Sequence, residues 1–385
     1  MVETVLPEFK FGVKLATPYL LTAAELILAL LSGLGLTALG VGGGAWILGG
    51  IIGGAIAFYL YRSLLSSQAQ PNRNSRRLGQ ILVGLAIGFS IQHSNLFALS
   101  LQLPIFLLMT LFLVFSGGII GYFYSRIEKT DLLTALLATV PGNIGVMASL
   151  AADYGRNTSL VSLVQLIRFT AIILFVPIIA NVSNSRDITP IFSSVTRDLL
   201  KFDLTYLFLL ILLLIITASA VHLGRKLKFP VAAFFCSILV GLLFNSLLAF
   251  LTFIPHVDFS LPLLVKLVGQ ALLGITIGEY WAINPRLEKR TVAYTAIPVT
   301  LTFLAGFLSA GIAKLLTPWD WLTCLLVASP GGSPEMILIA LTLHHNVEVV
   351  AASHLVRLTT INLAIPALIS LVCHLENRAN KLISS

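Results

Sequence analysis

Two long stretches of the chain are copies of one another, and each copy carries an arginine in the middle of an apolar segment. Residues 131–177 align without a gap with residues 320–366, and 17 of the 47 paired positions are identical. The paired arginines are Arg168 and Arg357. A charge at the centre of a bilayer costs about 2.5 to 3.5 kcal/mol on insertion scales, so two arginines at equivalent membrane positions indicate a function. The duplication limits the fold to two related halves.

The composition is that of a polytopic membrane protein. Hydrophobic residues make up 57% of the chain and charged residues only 10%, whereas about a quarter of the residues of a soluble protein are charged. The net charge of +8 arises from Lys and Arg in short loops between apolar segments. That is the distribution of the positive-inside rule, and it does not indicate a nucleic-acid partner. The partner that this composition predicts is the lipid bilayer.

Nine apolar stretches are each long enough for a spanning helix of roughly 17 to 25 residues. A further stretch at 78–91 is shorter, and the segments 131–153 and 320–343 are interrupted by Pro-Gly. No room remains for a soluble DNA-binding or catalytic domain, so we expect the function to reside in the membrane part. The nine long stretches lie near 19–38, 43–61, 103–124, 159–180, 204–221, 229–251, 262–280, 291–315 and 348–373.

The duplication covers most of each half. A Gly-Gln-x3-Gly-x3-Gly motif at 79–88 recurs at 269–278. Glycine at every fourth residue places small groups on one helix face and lets a neighbouring backbone approach closely, so these glycines are predicted packing positions. The domains that we predict are a first membrane repeat, an inter-repeat loop and a second membrane repeat, at 1–181, 182–203 and 204–385.

The charges of equivalent loops predict that the two repeats are inverted. Loop 62–77 contains four arginines, whereas its equivalent, 251–261, contains no Lys or Arg. This reversal places equivalent loops on opposite sides of the membrane. Two further loop pairs show the same reversal, 92–102 with 284–290 and 39–42 with 222–228.

Inversion requires an odd number of crossings per repeat, yet each repeat has six apolar segments. We assign the segment that does not cross to the Pro-Gly-broken helices at 131–157 and 320–346. Arms of about nine residues reach about 13 Å, enough to descend to the midplane and return, although length alone also allows a broken helix that spans. The predicted fold class is an all-α membrane protein with two inverted-topology repeats, about ten transmembrane helices and both termini in the cytoplasm.

The Pro-Gly breaks are candidate binding sites. Proline removes a backbone donor and glycine admits unusual dihedral angles, so a helix breaks at such a pair. Beyond each break a half-helix begins, and its free N–H groups can bind an anion. A purely structural kink is the alternative. The candidate substrate-binding residues are Pro141, Gly142 and Asn143 in the first repeat and Gly331, Gly332 and Ser333 in the second.

Arg168 and Arg357 are candidate ligands for the same anion. Each lies well inside its apolar segment, and a polar residue precedes each by three positions: Gln165 and His354 respectively. The planar fork of a guanidinium suits a carboxylate or a phosphate. Alternatively, each arginine holds the carbonyl groups of the helix break that faces it.

Glu335 follows the second break, where the first repeat has Val146. A carboxylate at membrane depth can accept a proton or a sodium ion, which makes Glu335 the ion-coupling candidate, or it can pair with one of the arginines. Glu25 and Glu279 are weaker candidates, because both can face a polar interface. Asp131 and Asp320 begin the broken segments and are predicted to be N-caps.

The sequence predicts no metal site, no cofactor and no enzymatic activity. His344, His345 and His354 do not form a set of three or four converging ligands, which a structural zinc or copper site requires. The chain contains no nucleophile elbow, His-Glu-x-x-His, Walker loop or Gly-x-Gly-x-x-Gly fingerprint.

The repeated blocks resemble the AbrB-duplication family of bacterial integral membrane proteins. The resemblance rests on the duplicated Pro-Gly and Met positions, on Val164 to Arg168 with Pro177, and on His354 to Arg357 with Pro366. The second repeat is similar to the family's Pro-Gly-Gly-x-x-Glu-Met motif, and the first departs from it at Asn143 and Val146. The resemblance implies a bacterial plasma-membrane protein. Members are labelled regulators of gene expression or ammonia monooxygenases, and the residues support neither as a direct activity.

Together these features predict a secondary transporter that moves a small organic anion by alternating access, coupled to protons or sodium. The expected partners are a small anionic metabolite and one of these cations, and the glycine faces permit a homodimer. The first alternative is a membrane-embedded sensor that binds the metabolite and affects gene expression indirectly. The second is a membrane oxygenase, which would require copper or iron.

Overall fold

The computed structural model describes residues 6–39, 45–64, 69–92, 96–142, 144–183, 204–229, 231–250, 259–283 and 289–384. These residues form α-helices and no β-strand. In chain order the helices are α1 (Leu6–Ala38), α2 (Ala45–Leu64), α3 (Arg73–Ser90), α4 (Leu96–Ser100), α5 (Leu103–Glu128), α6 (Leu132–Thr139), α7 (Ile144–Asp153), α8 (Thr158–Ser183), α9 (Leu204–Lys226), α10 (Ala232–Phe250), α11 (Leu263–Ile283), α12 (Lys289–Leu316), α13 (Trp321–Ala328), α14 (Ser333–Thr342) and α15 (Val347–Ser384).

Nine helices of the described chain are long and apolar enough to cross a membrane: α1, α2, α5, α8, α9, α10, α11, α12 and α15. They coincide with the nine apolar stretches of the sequence, which confirms an all-helical protein of membrane type. The short stretch at 78–91 belongs to a longer helix, α3, which begins at Arg73 behind an N-cap formed by Asn72. Three arginines in its first turns explain why hydropathy alone underestimates its length.

Glycine faces join the two halves of the chain. Helix α2 packs on α11 so closely that a Cβ atom added at Gly54 would lie 2.5 Å from the carbonyl oxygen of Ile275. Helix α3 packs on α10 in the same manner, and a Cβ atom at Gly84 would lie 2.6 Å from the carbonyl oxygen of Phe234. The predicted packing role of the repeated glycines is confirmed. Because α10 and α11 are the sequence equivalents of α2 and α3, each half contributes the same two helices to the same kind of contact.

The two Pro-Gly-broken segments turn back on themselves. Asp131, at the start of α6, lies 3.3 Å from a guanidinium nitrogen of Arg156, just beyond the end of α7. At the equivalent positions, Asp320 before α13 lies 2.9 Å from Nδ1 of His345, beyond α14. Both aspartates also cap their helices through the backbone N–H three residues later, as predicted. The start and the end of each broken segment therefore lie close together. We call α6–α7 the first hairpin and α13–α14 the second hairpin.

Several sequence predictions concern residues outside the described chain. These are Asn143 at the first break, residues 184–203 of the inter-repeat loop, and residues 40–42, 65–68, 93–95, 251–258 and 284–288 of the loops whose charges were compared. The same holds for the first five residues and for Ser385. The side of the membrane on which either terminus lies therefore stays a prediction.

Candidate functional site

The tips of both hairpins line one cavity. Pro141 and Gly142 contribute from the first hairpin, and residues 331–335 contribute from the second. The cavity holds about 730 Å³ of empty space, its open mouth included. Its polar wall consists of Arg76, Gln80, Thr276, Tyr280, Ser333, Glu335 and Arg357.

Arg357 lies between the second hairpin and the cavity. Its guanidinium donates hydrogen bonds to the carbonyl oxygens of Ser329, at 2.5 Å, and Gly331, at 3.3 Å, and to Nδ1 of His354, at 2.6 Å. Nε2 of His354 lies 3.0 Å from the carbonyl oxygen of Leu326. Because a carbonyl only accepts, Nε2 carries the proton and Nδ1 is the acceptor. The imidazole is therefore neutral and braces the arginine against the hairpin.

Arg168 makes the equivalent contacts with the first hairpin. It donates to the carbonyl oxygens of Thr139, at 3.0 Å, and Val140, at 3.4 Å, and to the side-chain oxygen of Gln165, at 2.5 Å. The amide of Gln165 donates in turn to the carbonyl oxygen of Leu137, at 2.8 Å. The amide of Gln165 thus has the role that the imidazole of His354 has in the second repeat.

These contacts identify one role of the two arginines. Helix breaks leave carbonyl groups without partners inside the membrane part, where an unpaired polar group costs several kcal/mol. Arg168 and Arg357 satisfy these groups, as the structural alternative of the sequence analysis proposed. Arg357 additionally lines the cavity, whereas Arg168, Gln165 and His354 do not. Of these four candidate ligands, Arg357 therefore lies on the cavity wall. The other three hold the helix breaks in place.

Glu335 lies on the cavity wall in the first turn of α14 and is only 6% exposed. The suggested pairing with Arg168 or Arg357 is wrong, because the described residues form no such ion pair. One carboxyl oxygen of Glu335 is buried with no hydrogen-bond partner in the described part of the chain. This side chain folds back over the tip, where a Cβ atom at Gly332 would overlap both Glu335 and the ring of Phe169. A side chain at position 332 would therefore require Glu335 and Phe169 to move.

The sequence analysis missed Arg76 and Gln80, which lie one turn apart on α3 and line the cavity. Arg76 was assigned to a basic loop, because the apolar pattern begins only at residue 78. The repeated Gly-Gln pair included Gln80, but the glycines alone were assigned a role. Helical periodicity extended back from Gln80 would have placed Arg76 on the same face.

A second space adjoins the cavity and shares Arg76, Thr276 and Tyr280 with it. It contains about 990 Å³ of empty space, open mouth included, and extends along α7 towards the first turn of α3. Arg73 and Asp153 are the other charged residues on its wall. The cavity therefore communicates with the polar end of α3, and Arg76 stands at the junction.

A comparison with family models decides the relationship. The model described as "Transition state regulatory protein AbrB" matches residues 46–373, most of the chain. The chain belongs to the AbrB family. The match includes both hairpins and every residue on the cavity wall, whereas α1 precedes it.

Two curated relatives are similar over most of the length of this AbrB-family chain. "Uncharacterized protein YhjN" of Bacillus subtilis (strain 168) is 27% identical over 354 residues, which cover 89% of this chain and 90% of that protein. "Putative regulator AbrB" of Escherichia coli (strain K12) is 25% identical over 332 residues, which cover 84% of this chain and 88% of that protein. The relatives thus match most of this AbrB-family chain.

Within the described residues of this AbrB-family protein, no three His, Cys, Asp or Glu side chains are grouped so that they could hold a metal ion. His345 contacts Asp320, and His354 contacts Arg357. His345 and His354 are thus engaged in separate local contacts.

Proposed function

We propose that this AbrB-family protein is a secondary transporter that moves a small organic anion by alternating access. The observation that carries the proposal is the meeting of both hairpin tips at one cavity with two arginines on its wall, Arg76 and Arg357. Half-helix ends at the interface of two repeats are a recurring way to bind a substrate near the bilayer midplane. No catalytic step belongs to this proposal.

The chemistry of the wall favours an anion. Arg76 and Arg357 offer guanidinium groups, and Ser333 at the start of α14 adds a hydroxyl group that lies 3.1 Å from Nδ1 of His354. The N-terminal end of α14 points its free backbone N–H groups and the positive end of the helix dipole towards the tip. Glu335 is the one carboxyl group on this wall. Two cationic groups against one carboxyl group suit a carboxylate or phosphate ligand.

Inverted repeats would supply the alternation. In the proposed topology, α3 crosses the membrane as a tenth helix and the two hairpins enter from opposite faces. The space beside Arg76 then opens to the cytoplasm, where the positive-inside rule places the basic loop 62–77. The equivalent route on the other side would pass Lys266 and Gln270, which follow Arg76 and Gln80 by 190 residues. The coupling ion is a proton or sodium, with Glu335 as its candidate on the cavity wall.

Arg76 allows a test that does not disturb the hairpins, because it holds no described backbone carbonyl. The purified protein is screened by thermal shift against organic acids, amino acids and phosphate, at two pH values, with and without sodium. We expect an anion to raise the melting temperature, and Arg76→Gln to weaken its apparent affinity at least tenfold. Arg126→Gln is the matched control, since Arg126 lies exposed in the last turn of α5. The anion is then tested for gradient-driven uptake into liposomes.

A membrane-embedded sensor is the second candidate, and the name of the Escherichia coli relative favours it. A sensor would bind the same anion in the same cavity but would produce no flux in liposomes. Binding that Arg76→Gln weakens, without uptake under any ion gradient, would support the sensor. If no anion stabilises the protein, both candidates fail.

A further inference from the structure

Two buried carboxyl groups face each other away from the cavity. Glu25 on α1 and Glu279 on α11 are both 0% exposed. Asn72 contacts both Glu279 and Thr22, which lies one turn before Glu25, so the two carboxyl groups are neighbours. Neither carboxyl oxygen of Glu25 accepts a hydrogen bond from a donor in the described part of the chain. Glu25 therefore has only the other carboxyl group to interact with.

Glu279, in contrast, accepts a hydrogen bond from the protein. The backbone N–H of Asn72 lies 3.2 and 3.1 Å from its two carboxyl oxygens. The side-chain amide of Asn72 donates to the hydroxyl of Thr22, one turn before Glu25, at 3.1 Å. Asn72 thus holds α1 and α11 together at this point. The N–H group of Asn72 donates to Glu279, and no described donor points at Glu25. Glu279 is therefore the ionised member of the pair, and Glu25 is the protonated, neutral member.

No ion pair balances the two carboxyl groups in the described part of the chain. The charged residues on the elements that carry or surround them are Glu8, Lys10 and Lys14 on α1, Arg62 in the last turn of α2 and the three arginines in the first turns of α3, while Lys266 lies at the far end of α11. Two carboxylates in contact cannot both ionise without a large electrostatic cost. A proton on one of them removes this cost and provides the donor that the contact requires.

We propose that Glu25 and Glu279 form a proton-binding site, in which Glu25 holds one proton and donates it in a hydrogen bond to Glu279. A bound sodium ion suits the site less well, because Asn72 aims an N–H donor at Glu279 and, among the described residues, no third acidic, histidine or cysteine side chain joins the pair. The proton enters from water and returns to it, and its release leaves two adjacent carboxylates.

The site is linked to the candidate transport cavity through Asn72. This residue is the N-cap of α3, where its side chain accepts hydrogen bonds from the backbone N–H groups of Asn74 and Ser75 at 3.0 and 3.3 Å. Arg76 follows in the same helix, and Tyr280 follows Glu279 on α11. A change in the charge of the pair therefore acts on two elements of the cavity wall. The link to the cavity rests on the proposed function and extends it. The proton-binding site itself does not depend on the proposed function.

Infrared spectroscopy of the purified protein tests the site without any substrate. At neutral pH, where exposed glutamates with a pKa of about 4.3 are ionised, we expect a C=O stretching band from a buried, protonated carboxyl group. Glu25→Gln should lose intensity equal to one such group, and Glu279→Gln should shift or remove the band, because the acceptor of the proton changes. Glu348→Gln, in the first turn of α15, is the control and should leave the band unchanged.

Three results would overturn the proposal. They are a wild-type spectrum without the band at neutral pH, a Glu25→Gln spectrum with undiminished intensity, and a band that Glu279→Gln leaves unaltered. A band that disappears on addition of sodium at constant pH would also overturn it, in favour of a cation site. Each glutamine variant is compared only if it elutes as the same monodisperse species as the wild type. Because no anion is added, a negative transport assay would not affect the outcome.

Discussion

At the scale of single residues, the two arginines illustrate how one side chain can resolve the main problem of a broken membrane helix. Thr139, Val140 and Ser329 present carbonyl groups that a continuous helix would have satisfied. A guanidinium has five donors in a fixed plane, so it can reach two carbonyls and a bracing side chain together. A lysine presents three donors from a single atom and cannot span the same set.

The equivalence of Gln165 and His354 leads to a prediction at this scale. We expect His354→Gln to be tolerated, with a melting temperature close to that of the wild type, because a glutamine amide can donate to Leu326 and its oxygen can accept from Arg357. His354→Leu should be destabilised, since a buried acceptor and a guanidinium each lose a partner at about 1 to 3 kcal/mol per group. Thermal unfolding in detergent measures both. Equal melting temperatures of the leucine and glutamine variants would show that the bracing contact is unimportant.

At the scale of elements, the hairpins are defined by their closed bases. The Asp131 to Arg156 and Asp320 to His345 contacts bring the start and end of each broken segment together. The first base is closed further by Glu376 of α15, which accepts hydrogen bonds from Arg156 at 2.6 Å and from the backbone N–H of Leu133 at 3.0 Å. These groups are partly exposed, so each ion pair contributes little, about 0 to 1 kcal/mol. These contacts matter chiefly for geometry, because they fix the position at which each hairpin begins.

Inversion predicts that the two bases lie on opposite sides of the membrane. In a background with Cys236, Cys324 and Cys373 replaced by serine, we introduce a cysteine at exposed Tyr154 or at exposed His344. A membrane-impermeant maleimide should label His344→Cys in intact cells and Tyr154→Cys only after lysis. Labelling of both in intact cells, or of neither, would contradict opposite entry.

At the scale of the whole molecule, the glycine contacts between α2 and α11 and between α3 and α10 unite the two halves. A Cβ atom at Gly274 would overlap the carbonyl oxygen of Ile47 and lie 2.8 Å from the Cα atom of Gly50. Both are backbone atoms, which cannot move aside as a flexible side chain can. The junction thus depends on backbone contact along whole helices.

Gly274→Ala is therefore expected to lower the melting temperature strongly or to prevent recovery of folded protein. Gly311→Ala is the matched control, because nothing lies within 4 Å of a Cβ atom at Gly311 in α12. Replacing a helical glycine by alanine there should be neutral or stabilising by up to about 1 kcal/mol. Size-exclusion chromatography and thermal unfolding compare the two variants. Equal behaviour would mean that the close junction tolerates an added methyl group.

Much of this architecture could be predicted from the sequence, because membrane helices follow from local composition. The nine apolar stretches, the caps at Asp131 and Asp320 and the breaks at both Pro-Gly pairs depend on neighbouring residues only. That the shared face of Arg76 and Gln80 lines the cavity could not be predicted, and neither could the proximity of Glu25 to Glu279, since each depends on helices that are far away in the chain. The absence of an ion pair at Glu335 was missed for the same reason.

The packing of α2 and α3 on helices of the second half also has a consequence for biosynthesis. When α2 and α3 have left the ribosome, the glycines that pack on α10 and α11 have no partner until those helices follow. The interval from Ser90 to Ile283 is 193 residues, which takes about 10 to 40 s at about 5 to 20 residues per second. During that time the first half lies in the bilayer without its contacts to α10 and α11. A ribosomal pause between the repeats would lengthen this wait, and the half-made chain would be exposed to membrane proteases throughout it.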